Sequence, residues 1–95
     1  MFDEVYDVDI SVINKENSED YLDFTIERYG HGALDIRDRL IDDITNYCKD
    51  YGDNEYYLEI NISNRSDVAD YSSTNIESIK SDNVYEVQNL FDLIE

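Results

Sequence analysis

The feature that most constrains the fold is an alternation of apolar and polar residues in three separate segments. In the first segment Val8, Ile10 and Val12 alternate with acidic and hydroxyl residues. The same period of two recurs in residues 22–27 and in residues 56–62. Because successive side chains of a β-strand point to opposite faces, this pattern predicts strands with one buried and one solvated face. A short polar link between the first two segments predicts an antiparallel hairpin.

The apolar period lengthens to three or four residues in two other segments, which is typical of amphipathic helices. The first helix is predicted from Ala33 to the region of Gly52, where the glycine ends it in a left-handed conformation. Its apolar stripe includes Cys48. The second helix occupies the C-terminal residues, with Ser81 or Asp82 as its N-cap.

Residues 65–81 have the least regular pattern. They predict either a short strand around residues 68–72 or a loop with one helical turn at residues 76–79. The element order is therefore ββαβ(β)α. This order predicts an α+β fold, with a small antiparallel sheet of three or four strands covered by two helices on one face. The 95 residues correspond to a single domain, residues 1–95, and show no internal repeat.

The net charge of −17, from 24 acidic and 7 basic residues, is the main functional signal. It exceeds the magnitude of about 2–8 that keeps a small domain soluble, and its self-repulsion favours the unfolded chain. Adaptation to high salt is one explanation, and a partner with a strongly positive surface is the other. Many Asn, Ile and Tyr residues, in place of small ones, favour the partner. Direct nucleic-acid binding is disfavoured because phosphate affinity comes from Lys and Arg, which are few and scattered here.

Catalytic and metal-binding motifs are not apparent in the sequence. His31 is the single histidine, and Cys48, the single cysteine, is expected to pack as a small apolar residue. Residues 7–18 begin like a calcium loop, but Val12 stands where glycine is required and Ser18 where the bidentate glutamate is required. We therefore expect a chain that is not an enzyme and that has no cofactor and no metal site.

Acidic residues in rows are the candidate partner-binding groups. In the first predicted helix Asp35, Asp38 and Asp42 lie at i, i+3 and i+7 over about 10.5 Å, with Asp43 beside them. The steps between neighbouring acids of this row, about 4.5–6 Å along the helix axis, are close to the phosphate repeat of a nucleic-acid strand. The predicted strands add further candidates on their polar faces, namely Asp7, Asp9, Asp20, Asp23, Glu27, Glu55 and Glu59. A solvated face explains each acid alone, but such faces normally mix both signs of charge. Arg37, Arg39 and Lys49 are expected to brace the helix acids.

Tyrosine is unusually frequent, with nine copies. Tyrosine is favoured in interfaces because it buries a rigid aromatic ring and keeps a polar tip. At least partial exposure is predicted for Tyr6, Tyr29, Tyr51, Tyr57 and Tyr71. Tyr29 and Tyr57 are grouped with the acids as candidate partner-binding residues. The alternative is that the tyrosines fill the core and rim of a small sheet.

The chain resembles the acidic nucleic-acid-mimic proteins of phages and mobile elements, of the anti-CRISPR and anti-restriction type. The resemblance lies in its length, its net charge of −17, its lack of a catalytic motif and the row formed by Asp35, Asp38 and Asp42. This resemblance is one of composition, since such proteins share no common fold. It implies an inhibitor that occupies the cationic DNA- or RNA-binding channel of a defence nuclease complex, a CRISPR effector or a restriction enzyme. No membrane is implied.

Two other classes have a similar profile. Immunity proteins of nuclease toxins and barstar-like ribonuclease inhibitors are also small acidic proteins that cover basic active sites. An acidic housekeeping protein-interaction domain is the third alternative. Since the N-terminus has no leader-like pattern and no apolar run approaches 18 residues, the expected location is the cytoplasm of a bacterial host cell.

Overall fold

Two β-hairpins joined side by side, each followed by a helix, form the fold. The computed structural model describes residues 3–47 and 52–93. Its elements in chain order are β1 (Glu4–Asn14), β2 (Tyr21–Gly30), α1 (Ala33–Tyr47), β3 (Asn54–Asn64), β4 (Tyr71–Ser81) and α2 (Val84–Leu93). The strands pair antiparallel in the order β2-β1-β3-β4. The predicted α+β class and the predicted hairpin between the first two strands are thus confirmed.

Only one face of the sheet is buried. Burial alternates with period two along β1 and β3, so that Val8 and Ile62 are inaccessible to solvent while Asp9 and Glu59, on the other face, are exposed. Both helices pack on the buried face and share one core with it. The helix residues of that core are Ala33, Ile36, Leu40, Ile44, Val84, Val87, Leu90 and Phe91. Burial of each larger side chain contributes roughly 1.5–3 kcal/mol, which makes this layer the main source of stability.

The two halves of the chain repeat one ββα unit at an offset of 50 residues. Ile10 lies opposite Ile60 at the centre of the β1–β3 pairing, and the pairs on either side are related by the same offset. Core positions that correspond are Tyr6 and Tyr56, Val8 and Leu58, Ile10 and Ile60, and Val12 and Ile62. The prediction of no internal repeat is therefore wrong. The repeat is carried by burial pattern and loop chemistry, and it is also present in the sequence, where eight of the 25 residues 3–27 are identical to the residue 50 positions later.

An asparagine organises the loop of each hairpin. In the first loop, Asn14 Oδ1 accepts hydrogen bonds from the backbone N–H groups of Glu16 and Asn17 at 2.9 and 3.3 Å. Asn64 Oδ1 does the same for Ser66 and Asp67 at 2.8 and 3.1 Å in the second loop. Such side-chain acceptors replace the backbone partners that a turn lacks.

Each loop is also fastened to the opposite hairpin. The first latch consists of Asn14, Asp20 and Tyr56: the Tyr56 hydroxyl and Asn14 Nδ2 donate to Asp20 Oδ2 at 2.9 and 3.0 Å. The second latch consists of Asn64, Asp70 and Tyr6, in the same arrangement. Because each tyrosine belongs to one hairpin and its aspartate to the other, the latches join the two halves of the chain. Burial, reinforced by the acidic partner, raises the pKa of Tyr56 to about 12.

Residues 71–81 form a full strand, so the predicted loop with a helical turn at residues 76–79 is wrong. A register shift in the β3–β4 pairing sets Ile76 opposite Leu58 and Ile79 opposite Tyr56. One extra residue therefore separates the two isoleucines on β4, and both pack toward the helix layer. A bulge of this kind breaks the period of two and gives a spacing of three that resembles a helix.

The helix ends differ from the sequence-based expectation in one respect. Asn83, and not Ser81 or Asp82, caps α2, since its Oδ1 accepts a hydrogen bond from the backbone N–H of Glu86 at 3.0 Å. Ser81 instead donates through Oγ to the Glu86 carboxylate at 2.9 Å. Gly52 has a positive φ of 144°, and a Cβ atom there would collide with the backbone of Ser81. Residues 48–51, between α1 and Gly52, lie outside the described residues, so the prediction that Gly52 ends the helix stays a prediction. Cys48 lies outside the described residues.

Removal of either loop asparagine should destabilise the fold by a similar amount. Asn14→Ala and Asn64→Ala each remove the acceptor of two backbone N–H groups and one donor to a latch aspartate. We expect a loss of about 1–3 kcal/mol in the free energy of unfolding for each variant, measured by urea denaturation. Asn75→Ala, at an exposed position of β4, is the control and should change stability by less than about 0.5 kcal/mol. A tolerated Asn64→Ala would show that the second latch does not hold the loop.

The second latch should also impose an acid dependence on stability. The Tyr6 hydroxyl, the Ala33 N–H and the Asn64 amide donate to Asp70 and lower the pKa of its carboxyl below the ordinary value. Because the pKa is lower in the folded state, this stabilisation is complete above about pH 4 and is lost as the pH falls through the folded pKa. The stability difference between the natural chain and Asp70→Asn should therefore shrink from pH 6 to pH 2 in urea titrations. A difference that stays constant over this range would contradict the assignment.

Candidate protein-binding site

Among the described residues, no helix or loop packs on the sheet face opposite the helices. We call this surface the open sheet face. It is formed by the residues of the four strands that alternate with the core residues. Eight of the predicted partner-binding residues lie on it, namely Asp7, Asp9, Asp23, Glu27, Tyr29, Glu55, Tyr57 and Glu59. The alternation that builds the core therefore also collects these side chains on one surface.

The strand register spaces these carboxylates. Same-face neighbours along a strand are about 6.6 Å apart, and directly opposed residues on adjacent strands are about 4.5–5.5 Å apart. Asp23 and Glu59 both lie opposite Ser11, so a hydroxyl separates them. Among the described strand residues, only Asp7 and Glu27 bring two carboxylates directly opposite one another. Since opposed like charges destabilise a sheet, this arrangement limits the repulsion within the face.

Arg65 bridges the one opposed pair and offsets one of its two negative charges. An Nη2 atom of its guanidinium lies 2.6 Å from Asp7 Oδ1 and 2.6 Å from Glu27 Oε1. The hydrogen bond from Arg65 lowers the pKa of the Asp7 carboxyl. This bridge lies at one end of the open sheet face and keeps the two acids together at neutral pH.

A second cationic group lies at the opposite end. Lys15 Nζ is 3.3 Å from Glu55 Oε1, and the Ser78 hydroxyl donates to the same oxygen at 2.5 Å. These two donors, Ser78 first, lower the pKa of the Glu55 carboxyl. Both bridges are largely solvent-exposed, so each contributes little to stability.

The centre of the open sheet face has a different character. Asp9, Asp23 and Glu59 have no basic side chain within 4 Å among residues 3–47 and 52–93. All three are exposed, and Asp9 accepts a hydrogen bond from the Thr25 hydroxyl at 2.7 Å. We call these three residues the central carboxylates. They present negative charge to solvent without a neutralising neighbour.

Exposed tyrosines surround the carboxylates. Tyr21, Tyr29 and Tyr71 are 57%, 56% and 55% exposed, and Tyr57 is half-buried. The predicted exposure of Tyr6 is wrong, because its ring is buried in the core and its hydroxyl belongs to the second latch. Tyr51 lies outside the described residues. Tyr21 is not among the residues predicted to be exposed, although it lies two residues before Asp23 on β2 and therefore on the same face of the sheet.

Asp20 does not share the open sheet face. The prediction placed it beside Asp23 and Glu27, but its carboxylate accepts from the Tyr56 hydroxyl and from Asn14 in the first latch. The role shown by the structure is to hold the hairpin loop. Asp20 lies in the turn just before β2, where side chains no longer alternate between the two faces of the sheet, and this explains the error.

The helix row, consisting of Asp35, Asp38, Asp42 and Asp43, lies on α1 and therefore in the layer on the other side of the sheet. Two of its carboxylates have intrahelical partners: Asp35 is 3.5 Å from Arg39, and Asp38 is 3.1 Å from Arg37. The predicted bracing at a spacing of three or four residues is confirmed for Arg39, whereas Arg37 pairs with its immediate neighbour Asp38, and Lys49 lies outside the described residues. The helix row is separate from the central carboxylates and partly neutralised.

A groove of about 600 Å³ between β2 and α1 is the place where the two acidic surfaces approach each other. Glu27 and Tyr29 line it from the strand, and Asp42 and Asp43 line it from the helix. Arg28 and Arg39 are also part of its lining. The groove therefore has mixed charge, unlike the centre of the open sheet face.

Other kinds of site have little support in the described part of the chain. No group of three or more His, Cys, Asp or Glu residues there is placed to hold a metal ion. His31 is exposed, and its Nε2 lies 3.2 Å from the Asp3 carboxylate. No helix in residues 3–47 and 52–93 is long and apolar enough to cross a membrane.

Comparisons with known proteins give no match: no family model, no curated protein and no solved structure is similar to this chain.

Proposed function

We propose that this chain is a nucleic-acid-mimic inhibitor. Its open sheet face would bind the cationic surface with which a bacterial defence nuclease complex, such as a CRISPR effector or a restriction enzyme, holds DNA or RNA. The observation that supports this proposal most strongly is the set of central carboxylates, which are exposed and have no basic partner within 4 Å among residues 3–47 and 52–93.

Charge and spacing suit such a target. Protein surfaces that hold nucleic acids carry Lys and Arg side chains placed to meet successive phosphates. The central carboxylates lie on the adjacent strands β2, β1 and β3, where Asp23 and Glu59 are diagonal neighbours of Asp9 about 7–8 Å away, and they offer those side chains a comparable series of negative charges. The net charge of −17 adds a long-range attraction that accelerates the encounter with a basic surface.

The exposed tyrosines supply the short-range part of the binding. Electrostatic steering raises the association rate, whereas residence time depends on buried contacts. Tyr21, Tyr29 and Tyr71 stand at the margins of the open sheet face, each more than half exposed. Tyrosine is enriched among the residues that dominate interface energies. On binding, the rings would cover apolar surface around the acidic centre.

The dimensions of the open sheet face also favour it over the helix row. Four strands of about ten residues span about 19 by 33 Å, or about 630 Å², which is most of the roughly 800 Å² that each partner buries in a standard interface. The helix row is one helix wide, and Asp35 and Asp38 are already paired with arginines. A partner that binds the sheet would leave the helix row facing solvent.

Two variants with equal charge loss should separate the two surfaces. The sheet variant carries Asp9→Asn, Asp23→Asn and Glu59→Gln, and the helix variant carries Asp35→Asn, Asp38→Asn and Asp42→Asn. Each chain is immobilised and exposed to a nuclease-treated bacterial lysate at low salt, and bound proteins are eluted with duplex DNA or RNA. We expect the natural chain and the helix variant to retain a nucleic-acid-binding protein, and the sheet variant to lose at least about 90% of it, since three lost charge contacts exceed 1.4 kcal/mol.

The proposal fails if no protein elutes with nucleic acid, or if the sheet variant retains the eluted protein as well as the natural chain does. Loss in the helix variant alone would move the binding surface to α1. The eluted protein must itself bind nucleic acid in an electrophoretic mobility assay. A toxin nuclease in the eluate would assign the chain to the immunity class, with the same surface.

The sheet variant should also be more stable than the natural chain. Neutralising three exposed carboxylates reduces the self-repulsion of the folded state, and we expect a gain of up to about 1 kcal/mol in the free energy of unfolding at low salt. Urea denaturation in 0.02 M and 0.5 M NaCl measures this effect. The gain should shrink at the higher concentration because salt screens exposed charges. A destabilised sheet variant would show that these carboxylates serve the fold.

A further inference from the structure

We infer that the partner of the open sheet face is a homodimer and that one chain binds across its twofold axis. This inference rests on the proposed function, and it comes from the internal repeat of the fold. It specifies the symmetry of the cationic surface that the chain would cover.

The repeat fixes a twofold axis perpendicular to the sheet. In the β1–β3 pairing Ile10 lies opposite Ile60, and the pair Val8 and Ile62 on one side corresponds to the pair Leu58 and Val12 on the other. Rotation by half a turn about the midpoint between Ile10 and Ile60 exchanges the two strands. Because both helices lie on the same side of the sheet, this rotation returns the open sheet face to itself.

Several exposed positions repeat their chemistry about this axis. Asp9 corresponds to Glu59 at the centre, and both are exposed. Tyr21 corresponds to Tyr71, and their exposed fractions are 57% and 55%. Lys15 corresponds to Arg65, and each bridges to carboxylates of the open sheet face. Burial does not require these similarities, since the side chains face away from the core.

Other exposed positions have diverged between the halves. Asp7 corresponds to Tyr57, and Asp23 corresponds to Ser73. The twofold pattern is thus retained by a subset that combines acid, tyrosine and base. According to the register, Asp9 and Tyr71 lie toward one end of the face, and Glu59 and Tyr21 lie toward the other. Of the residues that repeat, each end therefore offers one carboxylate and one tyrosine.

Homodimers that bind duplex DNA match this arrangement. Their two subunits present equivalent basic surfaces around a common axis, which coincides with the dyad of the DNA site. Closed twofold dimers are also the commonest soluble homo-oligomers. Each subunit of such a dimer would receive the same carboxylate and tyrosine pair from one half of the chain. A single chain would then cover both halves of the DNA-binding surface.

The test uses the natural partner, purified after elution with DNA from the immobilised chain. Native mass spectrometry of the complex should give one chain per two partner subunits. Asp9→Asn and Glu59→Gln should each weaken binding by about three- to tenfold, and by factors within about twofold of one another. Tyr21→Ala and Tyr71→Ala should form a second matched pair. Asp42→Asn on α1 is the control with equal charge loss and should leave the affinity unchanged.

Different failures have different meanings. A DNA-eluted partner that is monomeric, or that binds two chains per dimer, would overturn the twofold inference and leave the proposed function standing. So would a tenfold loss for one member of a matched pair with no effect for the other. If no partner elutes with nucleic acid, the proposed function and the inference both fall.

Discussion

The antiparallel pairing of β1 with β3 is the interaction on which the rest of the structure depends. It brings Ile10 opposite Ile60 and thereby joins the two ββα units about a single axis. The same register carries Tyr6 to the loop at Asp70 and Tyr56 to the loop at Asp20, so both latches form only when the two central strands are paired. A slip by one residue would turn the core side chains of a strand to solvent, and the latches oppose such a slip.

Burial of only one face of the sheet leaves the residue types on the other face unconstrained by the core. Because both helices cover the same side of the sheet, the opposite side need not be apolar, and it carries most of the strand acids. Their repulsion is moderated at both ends of the face, where Arg65 bridges Asp7 and Glu27 and Lys15 pairs with Glu55. The centre retains uncompensated charge. Under the proposed function, the cost of this charge to the folding free energy is accepted because the surface serves binding and not the core.

Much of the fold could be predicted from the sequence, because the period of two in β1 and β3 reports burial directly. The same alternation of side chains places eight of the predicted site residues on one face of the sheet. Prediction failed where tertiary contacts overrule local pattern. The bulge in β4 sets Ile76 and Ile79 three residues apart, and the first latch holds Asp20 outside the alternation of β2. Tyr6 is a different case, since it alternates with Val8 and Ile10 on the buried face and its burial follows the local pattern.

The helix row shows another limit. Its spacing could be predicted from the sequence, but its place in the layer opposite the strand acids could not, since the packing of α1 depends on the whole core. The internal repeat also escaped detection. It is expressed in equivalent loop hydrogen bonds of Asn14 and Asn64, and it could have been found in the sequence, where Asn14, Asp20 and Tyr21 recur 50 residues later as Asn64, Asp70 and Tyr71.

Carboxyl footprinting tests the central claim most directly. The chain is treated with a carbodiimide and an amine, alone and in complex with the partner eluted by nucleic acid, and the modified residues are identified by mass spectrometry. We expect Asp9, Asp23 and Glu59 to be protected in the complex and Asp35, Asp38 and Asp42 to react as in the free chain. Protection of the helix aspartates, with the three sheet carboxylates still reactive, would contradict the assignment of the open sheet face as the binding surface.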